Sequence, residues 1–169
     1  MLPYTLGVSA CLLGQKVRYD GRHKFDPTLE QLLGRQCVFM PICPEVEVGL
    51  GTPREPMRLE GDPANPRAIT LHSRRDLTDL LAAHARKRLD ALLCMPVQGF
   101  ILTCRSPSCG LRSVPVYGEG DRTAIGSGIF ARACADRLPQ LPMVEAIQLQ
   151  QPEVRHLFLA SLSGGHSSP

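Results

Sequence analysis

Tryptophan is absent from this 169-residue sequence, and three Tyr and five Phe are its whole aromatic complement. Base-stacking platforms for single-stranded nucleic acid are correspondingly scarce. A dominant charge is lacking too, since 19 Lys and Arg stand against 16 Asp and Glu, for a net charge of +3. So mild a balance suits an anionic small ligand better than the wrapping of a nucleic acid, and no DNA partner is expected. No apolar run approaches the roughly 20 residues that cross a bilayer, so no membrane partner is expected either. The N-terminus MLPYTLGVSACLL has no charged start, long apolar core or small-residue cleavage site of a secretory signal, and the expected location is a reducing cytoplasm.

Paired CxxC knuckles are missing, as is the ferredoxin run CxxCxxC, although the chain holds seven Cys. Cys104 and Cys109 are too widely spaced for a standard zinc ribbon, which argues against a structural zinc site. An odd number of cysteines in an unsecreted chain argues against a disulfide framework. It favours a mixture of ligands or reactive thiols with buried apolar cysteines.

The length fits one domain over residues 1–160, followed by a Ser- and Gly-rich tail over 161–169 that is expected to be flexible. Leu6–Ala10, Cys37–Ile42 and Gly99–Thr103 are apolar runs that read as buried strands, and each leads into a loop with Gly or Pro beside a cysteine. Helices are predicted over Pro27–Gly34, over the leucine-spaced stretch Leu77–Leu93 behind a cap at Ser73 or Asp76, and over Gly128–Leu138. Ala68–Leu71 and Met143–Ile147 are candidate further strands. The alternation predicts an α/β fold with a mostly parallel, Rossmann-like sheet and helices on both faces. Ligands of such sheets gather beyond the strand C-terminal ends, so Cys11, Cys43 and Cys109 are expected to converge on one rim. The Pro-rich stretch Gly49–Pro66 reads as an irregular loop that could cover that rim.

Among the other cysteines, Cys37 in a strand, Cys94 at a helix end and Cys134 in an Ala-rich helix read as buried core thiols. Cys104 is ambiguous. A cluster assembled from single cysteines on separate loops remains one reading of Cys11, Cys43 and Cys109, because sulfur ligation is what iron–sulfur chemistry needs.

The segments VSACLLGQKVRYDG (8–21), ICPEVEVGLGTPREPMRL (42–59), ILTCRSPSCGLRSVPVY (101–117) and GSGIFA (126–131) resemble the TudS-like thiouracil desulfidase family. They run in that family's order over most of the chain. The GLGTPRE and GIFA versions are most similar to the RudS subgroup, which acts on 4-thiouridine compounds.

The resemblance implies a 4Fe-4S cluster held by Cys11, Cys43 and Cys109, with one iron left open, and a hydrolytic, non-redox removal of sulfur that yields hydrogen sulfide. An open metal position can act as a Lewis acid toward a soft thiocarbonyl sulfur. Glu45 and Ser106 match the family's proton-handling candidates, and Asp20 in VRYDG is a second carboxylate available to the relay. Read alone, Glu45 is a cap or surface carboxylate, Ser106 a turn residue before Pro107, and Asp20 half of an Asp-Gly turn. Lys16, Arg18, Arg54 and Arg58 lie on loops expected to frame the rim, where guanidinium forks suit phosphate oxygens. The basic triplet Arg86, Lys87 and Arg88 reads as an exposed helix face. Longer relatives carry a second helical domain associated with transfer RNA. Its absence favours a small-molecule thiopyrimidine nucleotide such as 4-thiouridine 5'-monophosphate over folded tRNA. Thr103 stands where many members have lysine. The competing reading is a non-catalytic module that stores a cluster or uses its thiols for redox sensing or sulfur transfer.

Overall fold

The computed structural model describes residues 3–164. Four strands, β1 (Tyr4–Ser9), β2 (Cys37–Ile42), β5 (Val97–Leu102) and β8 (Met143–Glu145), form a fully parallel sheet in the order β2-β1-β5-β8. The apolar runs that signal β1, β2 and β5 are what a sheet covered on both faces requires. Helices α1 (Pro27–Leu33) and α5 (Pro152–Gly164) cover one face, where Leu29, Leu33, Phe158 and Leu162 pack against Leu6, Val8 and Ile101. Helices α3 (Thr78–Leu93) and α4 (Ile129–Arg137) cover the other, where Leu89, Leu92, Phe130 and Cys134 meet Phe100 and Leu102. Phe100 and Phe130 meet edge to face with centroids 6.3 Å apart, and each buried ring of this kind contributes about 2 kcal/mol.

Helix starts follow local chemistry. Asp26 accepts the Thr28 N–H and precedes Pro27 at the first position of α1. Asp76 accepts the Thr78 N–H at the start of α3, one residue before the formal cap Leu77.

Three expectations are corrected. Ala68–Leu71 does not join the parallel sheet. It forms β4 (Arg67–Thr70) in a second sheet of order β4-β3-β6-β7, with β3 (Met57–Glu60), β6 (Val114–Tyr117) and β7 (Thr123–Gly126). The β3–β4 and β6–β7 pairs are antiparallel hairpins, and β3 pairs with β6 in parallel. Gly49–Pro66 is therefore not wholly loop, since its centre is β3. The helix α5 runs through Ser161 to Gly164, where the flexible tail was expected to begin, and residues 165–169 lie outside the described part. Leu59, Val114 and Val116 of the second sheet pack on Leu77, the cap of α3, and on Leu81 within it, which ties the second sheet to a helix that covers the first.

The strand order places β2 on one side of β1 and β5 on the other. The chain thus leaves the C-terminal ends of β1 and β5 in opposite directions, which opens a crevice there. No described helix is long and apolar enough to cross a membrane.

Candidate functional site

Each of the three strands around that crevice delivers one cysteine. After β1 the chain makes a single turn of 3-10 helix, Ala10–Leu13, which carries Cys11 and is ended by Gly14 in left-handed backbone (φ 84°). After β2, Cys43 caps the short helix α2 (Pro44–Glu47), whose first residue Pro44 supplies the helical φ and sets Glu45 next. After β5, Thr103 opens the loop to Cys109. Cys11, Cys43 and Cys109 all line one pocket, together with Glu45, Arg54, Thr103, Ser106 and Ser108. The expected convergence on one rim is what the topology produces.

Burial pushes the Cys11 and Cys43 thiols above the ordinary thiol range and pushes Cys109 far above it; the Thr103 hydroxyl opposes the effect at Cys11 and the Ser9 hydroxyl at Cys109. Without a metal these sulfurs keep their protons, and a thiophilic metal would displace them. Among the described residues no three His, Cys, Asp or Glu side chains approach closely enough to share a single ion. A multi-iron cluster takes one thiolate per iron and needs the wider spread that three separate loops supply. Thr103 Oγ1, buried beside the Cys11 sulfur, finds no nitrogen or oxygen partner among the described residues. Three soft donors on one pocket wall and a buried hydroxyl beside one of them fit a cluster with acceptor sulfides.

Glu45 is fixed from two directions. Arg54 places both Nε and Nη2 at 2.7 Å from Glu45 Oε2, and Ser108 Oγ donates to Oε1 at 2.8 Å. Arg54 is anchored in turn by Nη1 on the Gly51 carbonyl at 2.8 Å. Ser106 Oγ accepts the N–H of Ser108 at 3.3 Å and of Cys109 at 3.1 Å. Its lone pairs are thereby occupied and its proton remains to be donated.

Comparison with known proteins identifies the lineage. The sequence model for "2-thiouracil desulfurase" matches residues 6–146. The chain belongs to the 2-thiouracil desulfurase family. The uncharacterized protein YbbK of Bacillus subtilis (strain 168) is 33% identical to it over 129 residues, covering 73% of this chain and 85% of that protein. A solved structure, the 4Fe-4S-dependent thiouracil desulfidase TudS, superposes with a TM-score of 0.70 at 31% identity, covering 93% of this chain and 99% of that one. Both are similar to this family member, which is accordingly an enzyme of a carbon–sulfur-cleaving group.

Not every expected residue of this desulfurase family member reaches the pocket. Arg18 lines it, with Asp20 Oδ1 at 3.4 Å from its Nε and Tyr19 beneath its guanidinium at 5.6 Å. Arg54 lines it but is spent on Glu45. Asp20, Lys16 and Arg58 are not on the wall. Asp20 accepts the Arg22 N–H at 3.0 Å and closes a turn, so its place in the relay is not met by the geometry. Arg58 pairs with Glu60 at 2.7 Å and stacks on Tyr117 at 4.7 Å. Lys16 is exposed. Cys37 and Cys134 are buried as expected, whereas Cys94 is exposed, because the helix end that carries it faces solvent.

The pocket also holds Tyr19, Lys24 and Arg105, which sequence reasoning missed. Lys24 Nζ donates to the Cys104 carbonyl at 3.3 Å. Neither Lys24 nor Arg105 has an ion-pair partner among the described residues. Nothing in the local pattern around Lys24 singles it out; Arg105 sits directly before the SPSCG segment, which was a usable signal.

Proposed function

We propose that this protein removes sulfur hydrolytically from a thiolated pyrimidine, with 4-thiouridine 5'-monophosphate as preferred substrate, using a 4Fe-4S cluster held by Cys11, Cys43 and Cys109. The observation that carries the reading is one pocket lined by three thiols from three strand exits and by a carboxylate fixed beside them. When bound, such a cluster with three protein ligands supplies a Lewis-acidic iron for a thiocarbonyl sulfur.

The protein's own groups divide the proton work. Of the four or so acceptor positions on the Glu45 carboxylate, Arg54 and Ser108 take three. One remains to orient and deprotonate an attacking water, which makes Glu45 the general base. Ser106, with only its proton free, is the donor that meets charge developing on the pyrimidine. Water oxygen bonds to the ring carbon, the carbon–sulfur bond breaks, and sulfur departs with two protons as hydrogen sulfide. No electrons enter or leave. Tyr19 offers a face to the base. Arg18, Lys24 and Arg105 give the mouth a positive field that suits a phosphate monoester.

The test is anaerobic incubation of the cluster-loaded protein, without reductant, with 4-thiouridine 5'-monophosphate, 4-thiouridine and thiouracil. Loss of the near-ultraviolet thiocarbonyl band with matching hydrogen sulfide is expected, fastest for the monophosphate. No loss with any of the three would leave the non-catalytic module standing. Turnover of thiouracil alone would sink the nucleotide assignment.

A further inference from the structure

Two residues of the loop between β5 and β6 adopt left-handed backbone although neither is glycine: Arg105 at φ 58° and Arg112 at φ 56°. Strain of this kind persists only where the surroundings over-determine it. Here a serine hydroxyl braces each one. The Arg105 N–H donates to Ser113 Oγ at 2.8 Å, and the Arg112 N–H to Ser127 Oγ at 3.1 Å. Ser113 Oγ in turn donates to Oε1 of Glu145, which also accepts the Leu111 N–H at 2.7 Å.

Glu145 ends the edge strand β8 and is only 5% exposed. Among the described residues it has no cationic partner: its carboxylate accepts from two groups of this loop and, in a capping box, from the Gln148 N–H of the 3-10 turn Ala146–Gln150 that follows. Cys109 has closures of its own besides that brace. Its turn is closed by Ser106 and by the start of α4, where the Ile129 N–H donates to the Pro107 carbonyl at 2.9 Å. What the Glu145–Ser113 brace sets is the point at which Arg105 leaves the loop, on the pocket wall and without a carboxylate to neutralise it.

We propose that Arg105 is the specificity-determining contact for the phosphate of the substrate, and that Glu145 and Ser113 are positioning residues that act through it. The inference rests on the nucleotide reading above. Arg54 and Arg58, the guanidinium groups of the GLGTPREPMRL segment, are already committed to Glu45 and Glu60. A left-handed residue held by its amide presents its side chain from a fixed backbone, which lowers the entropy lost when a phosphate is bound.

The experiment measures binding of uridine 5'-monophosphate and of uridine to the cluster-loaded protein and to its Arg105→Met, Ser113→Ala and Ser113→Thr variants, with cluster absorbance recorded for each. The wild type should prefer the monophosphate. Arg105→Met and Ser113→Ala should each shrink that preference about tenfold, the equivalent of one charge-assisted hydrogen bond. Ser113→Thr, which keeps the hydroxyl, should restore it. A preference unchanged in Arg105→Met overturns the phosphate contact. Equal weakening of both ligands in Ser113→Ala, or loss of its cluster absorbance, overturns the positioning role. A wild type without preference defeats the nucleotide reading itself, and is told apart because no variant is needed to see it.

Discussion

Arg54 points both Nε and Nη2 at one oxygen of Glu45, each at 2.7 Å, nine residues away across the loop that follows α2. Both side chains are nearly buried, at 8% and 12% exposure. An arginine that sequence reading places on a phosphate is therefore the charge partner that holds the pocket carboxylate in place. Arg54→Met should leave Glu45 buried without its cation, at a cost of about 3 kcal/mol. Its effect on turnover should fall on kcat, by about a hundredfold, with KM for the nucleotide within a few-fold of wild type. Steady-state kinetics and a denaturant melt check both halves. A large rise in KM at unchanged kcat would return Arg54 to the phosphate.

The contrast shows what was legible in the chain and what was not. The parallel sheet was legible because β1, β2 and β5 are buried on both faces and read as apolar runs, each breaking at a cysteine. The second sheet was not. Its strands are four residues long, and β6 (VPVY) and β7 (TAIG) place a proline or exposed side chains where a run would show. Hairpin pairing and, for β3, β4 and β6, burial beside α3 make them strands, and the burial depends on contacts distant in sequence. At the site, the residue types that hold a cluster or a proton announce themselves by motif. Which arginine is free depends on where carboxylates lie in space: Arg54 meets Glu45, Arg58 meets Glu60, and Arg105 meets none.

Replacing Cys11, Cys43 or Cys109 by Ser should abolish the brown cluster absorbance and sulfide release together, since each is the pocket-lining thiol of its strand exit. Replacing Cys94 or Cys104, which lie off the pocket wall, should leave iron and sulfide content unchanged. Retained full activity in any of the first three variants would break the ligand assignment.

Gly128 explains the GSGIFA segment. Its N–H donates to the Gly110 carbonyl at 2.8 Å, and a Cβ built there would stand 2.4 Å from the carbonyl carbon of Ser108 and 2.8 Å from the Cys109 nitrogen. Backbone offers no flexible atom to move aside. Gly128→Ala should push the Cys109 turn off the start of α4, and about 2 kcal/mol of stability should go with it. Iron content per chain should fall while the circular dichroism of the parallel sheet is kept. Normal loading in this variant would show that the turn has slack.

Glu60 tests the second sheet. Arg74, joined to it through two bonds of 2.7 Å, and then Arg58 hold its carboxyl from the ordinary 4.5 down to about 2. A depressed carboxylate stabilises the fold above its unfolded pKa and loses that contribution as pH falls through its folded one. Glu60→Gln should therefore melt below wild type at neutral pH, and the gap should narrow as pH drops from 4.5 toward 2. A gap that does not change over that window would mean that the loss is one of packing, not of charge.

Glu45 and Ser106 can be told apart by what each still has to offer. Glu45→Gln keeps the shape and the Ser108 bond but removes the base, so kcat should drop by a factor of about 100 to 10,000 with cluster absorbance intact. Ser106→Ala removes a donor and also leaves the amides of Ser108 and Cys109 without their acceptor, so it should lower kcat and loosen the Cys109 turn together. Ser106→Thr retains both functions of the hydroxyl and should recover both properties. If Glu45 takes the proton from water, Glu45→Asp, which keeps a carboxylate, should recover part of the kcat that Glu45→Gln loses. Unchanged kcat in Glu45→Gln would assign the base elsewhere in the pocket.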